Sequence, residues 1–209
     1  MSASARRDQL LDVATRLVGK RGFHGVSIEA IARSAGITRA TVYQHFADLN
    51  ALLEAVIERE SSRALVQVSE TTLPDLREGD PPELMLESLR AYLQAVQNQP
   101  STWRLILMPP EGAPESLHES IAHGRETVLA RLTQAVRPAM ALDSESPDAE
   151  LTARLLSAIS DEYARLLLTD PARFSPERLL RHARWLLSLA APDGRLHARH
   201  TRPRNPPMD

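Results

Sequence analysis

Arg39, Thr41, Tyr43, Gln44 and His45 crowd five hydrogen-bonding side chains into seven residues, with few of the acids and lysines of an ordinary solvated face. A guanidinium at Arg39 can pair with guanine through two parallel hydrogen bonds or grip a phosphate. An amide at Gln44 can read a base edge, and Thr41 can touch a thymine methyl or a phosphate. Tyr43 and His45 can donate to phosphate oxygens, or pack against the next helix if they are merely structural. This is the chemistry of groove reading on DNA, and it makes no bonds. Bond-making chemistry has little to stand on elsewhere. The chain has no cysteine, so disulfides, thiolate metal sites and thiol nucleophiles are excluded. His118 and His123 are five apart and off a shared helical face, and His197 and His200 fall in a Pro- and Arg-rich C-terminal stretch. Asp161 and Glu162 are adjacent, diverge on a helix, and read as a solvated or interface-rim feature. Gly19, Gly22 and Gly25 lack the spacing and the preceding strand of a phosphate loop. No enzyme, metal or cofactor is expected.

The elements that would hold the polar cluster are legible around it. Ile28, Ile31, Ala32 and Ala35 fall at i, i+3, i+4 and i+7, which predicts a helix over 28–35 with Ser27 as its N-cap. Gly36 can end that helix at positive φ, and Thr38 offers an oxygen to cap a second helix from Arg39. Ala32 is small enough for a close crossing, and Ile37 and Val42 supply the second helix with an apolar side. The result is a helix-turn-helix whose polar side can enter a major groove. Ser27, besides capping, is a candidate phosphate contact. A first helix over 5–20 puts Leu10, Ala14, Leu17 and Val18 on one stripe, and a helix starting near Asp48 carries Leu49, Leu52, Leu53, Val56 and Ile57.

Residues 8–60 resemble the DNA-binding domain of the TetR family of transcriptional repressors. The resemblance rests on RGFHGVS, on SIEAIARSAGIT and on the segment ending Tyr43-Gln44-His45-Phe46, in that order and spacing. It implies that Ser27, Thr38, Arg39, Thr41, Tyr43, Gln44 and His45 form the DNA-binding surface, with Tyr43 and His45 mainly on the phosphate backbone. One departure stands out. Where the family usually has a phosphate-reaching lysine at the start of the fourth helix, this chain has Leu49, which belongs to the apolar stripe.

Composition agrees with a polyanion partner at one end only. Residues 1–47 carry seven Lys and Arg against three acids, +4, and the rest of the chain carries −6, giving the overall −2. All fifteen prolines lie at or after Pro74 and divide the remainder into helix-length pieces: 82–99, 100–108, 116–137, 148–169 and 176–190, with loops at 74–82, 109–115 and 143–147. The loop at 109–115 is of the hinge or lid kind. Nothing reads persuasively as a strand. From Pro192 the chain has no apolar period and is expected to be disordered. The N-terminus lacks the apolar core of a signal peptide, and no run approaches the roughly 18 apolar residues of a membrane helix. A cytoplasmic protein without membrane contact is therefore expected.

The expected fold is all-α: a three-helix DNA-binding unit over 1–47, a helical ligand-binding and dimerisation body over 48–191, and a tail over 192–209. One helix-turn-helix covers few base pairs, so a double-stranded operator calls for a homodimer with half-sites about 34 Å apart or a multiple of that. The family resemblance implies pairing through the last two helices, whose faces carry Leu151, Leu155, Ala158, Ile159, Leu166 and Leu167, then Leu179, Ala183, Leu186, Leu187 and Ala190. It also implies a small-molecule effector in the body. Tyr92, Trp103, Arg104, Met108 and Tyr163 are the candidate pocket residues, with core packing as the competing explanation. Two other functions stay open: an effector-independent DNA binder or activator, and a helical protein that has lost DNA binding.

Overall fold

The computed structural model describes residues 2–71, 80–140 and 148–190, with the side chains of 71, 138–140 and 190 left aside. Expectations for 72–79, 141–147 and the tail from 192 lie outside the described residues. Among the described residues all regular structure is helical: α1 (Ala3–Arg21), α2 (Ile28–Ala35), α3 (Arg39–Tyr43), α4 (Leu49–Thr71), α5 (Pro81–Asn98), α6 (Pro100–Leu107), α7 (Glu115–Met140), α8 (Ala149–Thr169) and α9 (Pro176–Ala190). Caps set most of the early boundaries. Ser2, Ser27, Thr38 and Asp48 each accept a hydrogen bond from the backbone N–H three residues on, so α1 begins two residues before the expected Ala5. Gly36 closes α2 at φ 69°, ψ 33°, a left-handed conformation that a side chain would strain.

Two apolar cores share one long helix. The first gathers Leu10, Val18, Phe23, Ile31, Val42 and Phe46 with Leu52 and Val56 of α4, and it takes in Leu105 of α6 and Leu117 of α7. The second joins Ala64 of α4 to α5, α6, α8 and α9 through Leu93, Trp103, Leu107, Leu167 and Leu179. Leu49 packs against the first core as its stripe requires. At about 1.5 Å per residue, the 23 residues of α4 span roughly 35 Å, enough to belong to both.

Between the cores α4 carries a buried charge. The Glu60 side chain is 1% exposed; Arg59 approaches its Oε1 at 2.6 Å and Arg63 at 3.3 Å. Thr102 of α6 donates to Oε2, and the Thr15 hydroxyl of α1 lies 3.4 Å from Oε1. Arg59 also pairs with Asp12 of α1 at 2.9 Å. One carboxylate thereby ties α1, α4 and α6 together at the point where the N-terminal unit meets the body. The loop 109–114 makes a second junction: a Cβ added to Gly112, φ 74°, would run into the His24 imidazole in the α1–α2 connection.

Candidate nucleic-acid interface and body cavity

α3 is a helix of five residues, and its first turn is built by Thr38. The Thr38 hydroxyl accepts from the Thr41 backbone N–H at 3.2 Å and lies 3.0 Å from the Thr41 hydroxyl. Val42 faces inward and is fully buried, which turns the other side outward. Thr38, Arg39, Tyr43 and Gln44 are exposed, while Ser27, Thr41 and His45 are half-buried. Tyr43 is 48% exposed, a large aromatic left in water. The backbone turn continues past the helix: Gln44 donates to Ala40 O at 3.1 Å and Phe46 to Val42 O at 3.1 Å. α1 anchors this end. Arg7 donates to the His45 carbonyl at 3.1 Å and stacks 4.3 Å over the Phe46 ring. Six of the seven candidate residues thus lie on the short segment from Thr38 to His45, and Ser27 sits at the start of α2.

Arg39 has a partner that the sequence reading missed. Its Nη1 lies 3.0 Å from Glu29 Oε1, both side chains being at least half exposed. The Glu29 carboxyl is held below the usual carboxylate range by its own backbone N–H first and by Arg39 next. An acid on the outer face of α2, opposite the start of α3, was the available signal.

The body holds a partly open cavity of about 180 Å³ between α4, α5, α6, α7 and α8. Most of its wall is apolar, including Leu65, Leu89, Ile106, Val128 and Leu156. Tyr92 and Trp103 line it as expected, and they meet edge to face at 5.0 Å between ring centres. Trp103 Nε1 donates to Gln67 Oε1 at 2.9 Å, so the indole is fixed. Arg104, Met108 and Tyr163 are not in the wall. On α6 the cavity takes Trp103, Ile106 and Leu107, one face at i, i+3 and i+4, and Arg104 points elsewhere to donate to Leu168 O at 2.8 Å. Met108 ends the helix beside Thr169, and the Tyr163 hydroxyl lies 2.7 Å from His182 Nδ1 on α9.

Asp161 corrects the solvated-rim reading. Its side chain is 21% exposed, it lines the cavity, and it accepts from the Tyr92 hydroxyl at 3.3 Å. Burial raises its carboxyl above the ordinary value, against the pull of Arg165 and Arg125. Burial, helped by Asp161, pushes the Tyr92 phenol well up, so that it stays a donor. Ser61 also lines the cavity, and its buried hydroxyl is without a hydrogen-bond partner among the described residues. The helical signal was present in α8: Ser157, Ser160 and Asp161 form one small, polar face at i, i+3 and i+4.

On the outside, Leu151, Leu155 and Ile159 of α8 are 60%, 64% and 38% exposed, and Trp185 and Leu189 of α9 are 55% and 39% exposed. They repeat every fourth residue, an apolar stripe facing outward on each helix. No group of three or more possible metal ligands occurs among the described residues, nor is any described helix long and apolar enough to cross a membrane.

Residues 10–56 match the family model of bacterial regulatory proteins of the tetR family. An uncharacterized HTH-type transcriptional regulator of Mycobacterium tuberculosis is 28% identical over 200 residues, covering 90% of each chain. A TetR-like transcriptional regulator from Rhodococcus sp. RHA1 superposes with a TM-score of 0.72 at 20% identity, over 91% of this chain and 97% of that one. The structure of a SmeT–triclosan complex matches with a TM-score of 0.67 at 25% identity, over 98% and 100%. The helix-turn-helix thus lies inside the segment that matches the tetR family model, and the chain as a whole shares the fold of TetR-like transcriptional regulators.

Proposed function

We propose that the chain is a homodimeric repressor, and that a small, largely apolar molecule entering the body cavity releases it from its operator. Residues 1–47 read the DNA in this proposal, residues 48–191 bind the effector and the second subunit, and α4 belongs mechanically to both. The observation that carries the reading is the outward polar edge from Thr38 to His45, set on a rigid apolar core. Arg39, Thr41 and Gln44 supply base or phosphate contacts; Ser27, Tyr43 and His45 supply phosphate contacts. Leu49 removes one charged phosphate contact per subunit, which leaves more of the backbone load to Tyr43, His45 and helix-terminal N–H groups.

The outward apolar stripes of α8 and α9 support pairing through the last two helices, since a lone subunit would leave Leu155 and Trp185 in water. The cavity favours an effector-controlled reader over a body that only dimerises. Ser61 in its wall follows Glu60 in the α1–α4–α6 junction, so a ligand against α4 acts on the element that positions the reader. A coupling of about 1–3 kcal/mol changes operator occupancy 5- to 150-fold. A gel shift with the DNA upstream of the protein's own gene tests the proposal. A retarded complex that resists competition by random DNA is the expected result, and equal affinity for both DNAs would defeat it.

A further inference from the structure

The polar end of the cavity holds one acid and one base that do not close on each other. Asp161 Oδ2 and Arg125 Nη2 stand 3.9 Å apart, beyond a direct hydrogen bond, and both residues line the cavity. A second cation, Arg165, lies 4.0 Å from the same Asp161 oxygen, but it also donates to Leu107 O at 3.2 Å and to Glu162 at 3.4 Å, and it is not part of the wall. Tyr92 spends its hydroxyl hydrogen on Asp161. Ser88, Ser120, Ser157 and Ser160 complete the polar lining with neutral groups.

We propose that the cavity selects an uncharged, largely apolar molecule of roughly one or two rings bearing a single hydroxyl, seated with its oxygen between Asp161 and Arg125. The proposal rests on the effector role given to this cavity above. An oxygen placed in the gap donates to the carboxylate and accepts from the guanidinium, so it satisfies both charges at once. An ammonium drawn to Asp161 meets Arg125 as a like charge, and a carboxylate drawn to Arg125 meets Asp161. In a wall this apolar neither repulsion is screened well, and the ion also gives up its hydration. A hydrocarbon of the same size leaves the gap open. The volume of about 180 Å³ compares with the engineered cavity of roughly 150 Å³ that admits benzene.

Calorimetric titration of the full-length protein with four two-ring probes tests the selection: naphthol, naphthalene, naphthoate and naphthylmethylammonium. Naphthol is expected to bind roughly tenfold or more tightly than each of the others, the worth of one such hydrogen bond. Asp161→Asn leaves Arg125 unopposed and moves the preference toward naphthoate. Arg125→Ala leaves Asp161 as the one charged residue of the described wall, with Arg165 4.0 Å away outside it, and moves the preference toward naphthylmethylammonium. A purely structural role would weaken all four probes together and leave their order alone. The proposal is overturned if either ion matches naphthol on the unaltered protein, if none of the four binds, or if both variants keep the original order. Gel shifts on the same preparations keep the two readings apart: a failed ranking with operator binding intact removes only the ligand class, and a ranking that holds without operator binding removes the repressor reading instead.

Discussion

The N-terminal unit and the body place their polar groups in opposite ways. Around α2 and α3 the interior is wholly apolar, with Ile31 and Val42 fully buried, and the hydrogen-bonding side chains stand outside. In the body the polar groups turn inward: Asp161, Tyr92 and the serines border a cavity, and the outer faces of α8 and α9 show Leu155 and Trp185 to solvent. A reader of DNA needs a stiff base under an exposed edge. A receptor for a small apolar molecule, the role proposed for the body, needs sheltered space with a few fixed polar points. Glu60 sits on the helix shared by the two, so its removal is the most severe way to disturb the contrast.

Glu60→Ala is expected to cost about 3 kcal/mol of unfolding free energy, because it leaves Thr102 without its carboxylate and Arg59, a 14% exposed guanidinium, with only Asp12 among the nearby acids. Urea unfolding measures this directly. A loss under about 1 kcal/mol would mean that the junction does not hold the two regions together. The next effect falls on the exposed edge. Arg39→Ala should cost about 1–3 kcal/mol in operator binding and relax preference at one base pair, whereas Tyr43→Phe should weaken all sequences alike and shrink the salt dependence. Equal losses on operator and random DNA for the Arg39 variant would assign that residue to the backbone.

The same contrast explains what could be read from the sequence. The bounds of α2 and the start of α3 follow from local signals, an apolar period, Ser27, Gly36 and Thr38, and all act within four residues of the atoms they organise. The cavity has no such local signal. Its wall joins Ser61, Tyr92, Trp103, Arg125 and Asp161 from five helices, and which side of each helix faces inward depends on packing between distant segments. Bulk near a proline stop therefore picked Trp103, which borders the cavity, together with Arg104 and Met108, which do not, since neighbours along a helix point about 100° apart. Tyr163 lies outside the wall for a related reason: it is buried, but toward His182 of α9.

A smaller effect probes the inward side. Ser61→Ala removes a buried hydroxyl that has no partner among the described residues, and should raise stability by up to about 1 kcal/mol. The gain would show in thermal melts of the ligand-free protein and shrink when a ligand that hydrogen-bonds to Ser61 occupies the cavity. A loss of stability instead would mean that the hydroxyl already has a partner, and that the body's polar points are structural rather than reserved.

The mildest change sharpens the outer edge. Glu29 is half exposed and holds Arg39 at 3.0 Å, so in the free protein the guanidinium is paired before DNA arrives. Two consequences oppose each other: the pair restrains a long side chain in one direction, and its carboxylate repels the phosphates that the edge must approach. For an exposed pair the orienting benefit is small, and repulsion from a nearby polyanion falls off only over a Debye length of roughly 8–10 Å. The repulsion should win. Glu29→Gln is therefore expected to strengthen binding to random DNA several-fold while reducing the margin by which operator is preferred. The Glu29 carboxyl lies below the usual carboxylate range in the folded chain, so its ion pair contributes above that range and is lost as pH falls through the lowered value. Acidifying the unaltered protein toward that value should reproduce the Gln variant's weaker discrimination, and the variant itself should show no such step. If Glu29→Gln instead binds operator more weakly, Arg39 depends on its partner for aim, and the exposed edge is a preset surface rather than a set of free side chains.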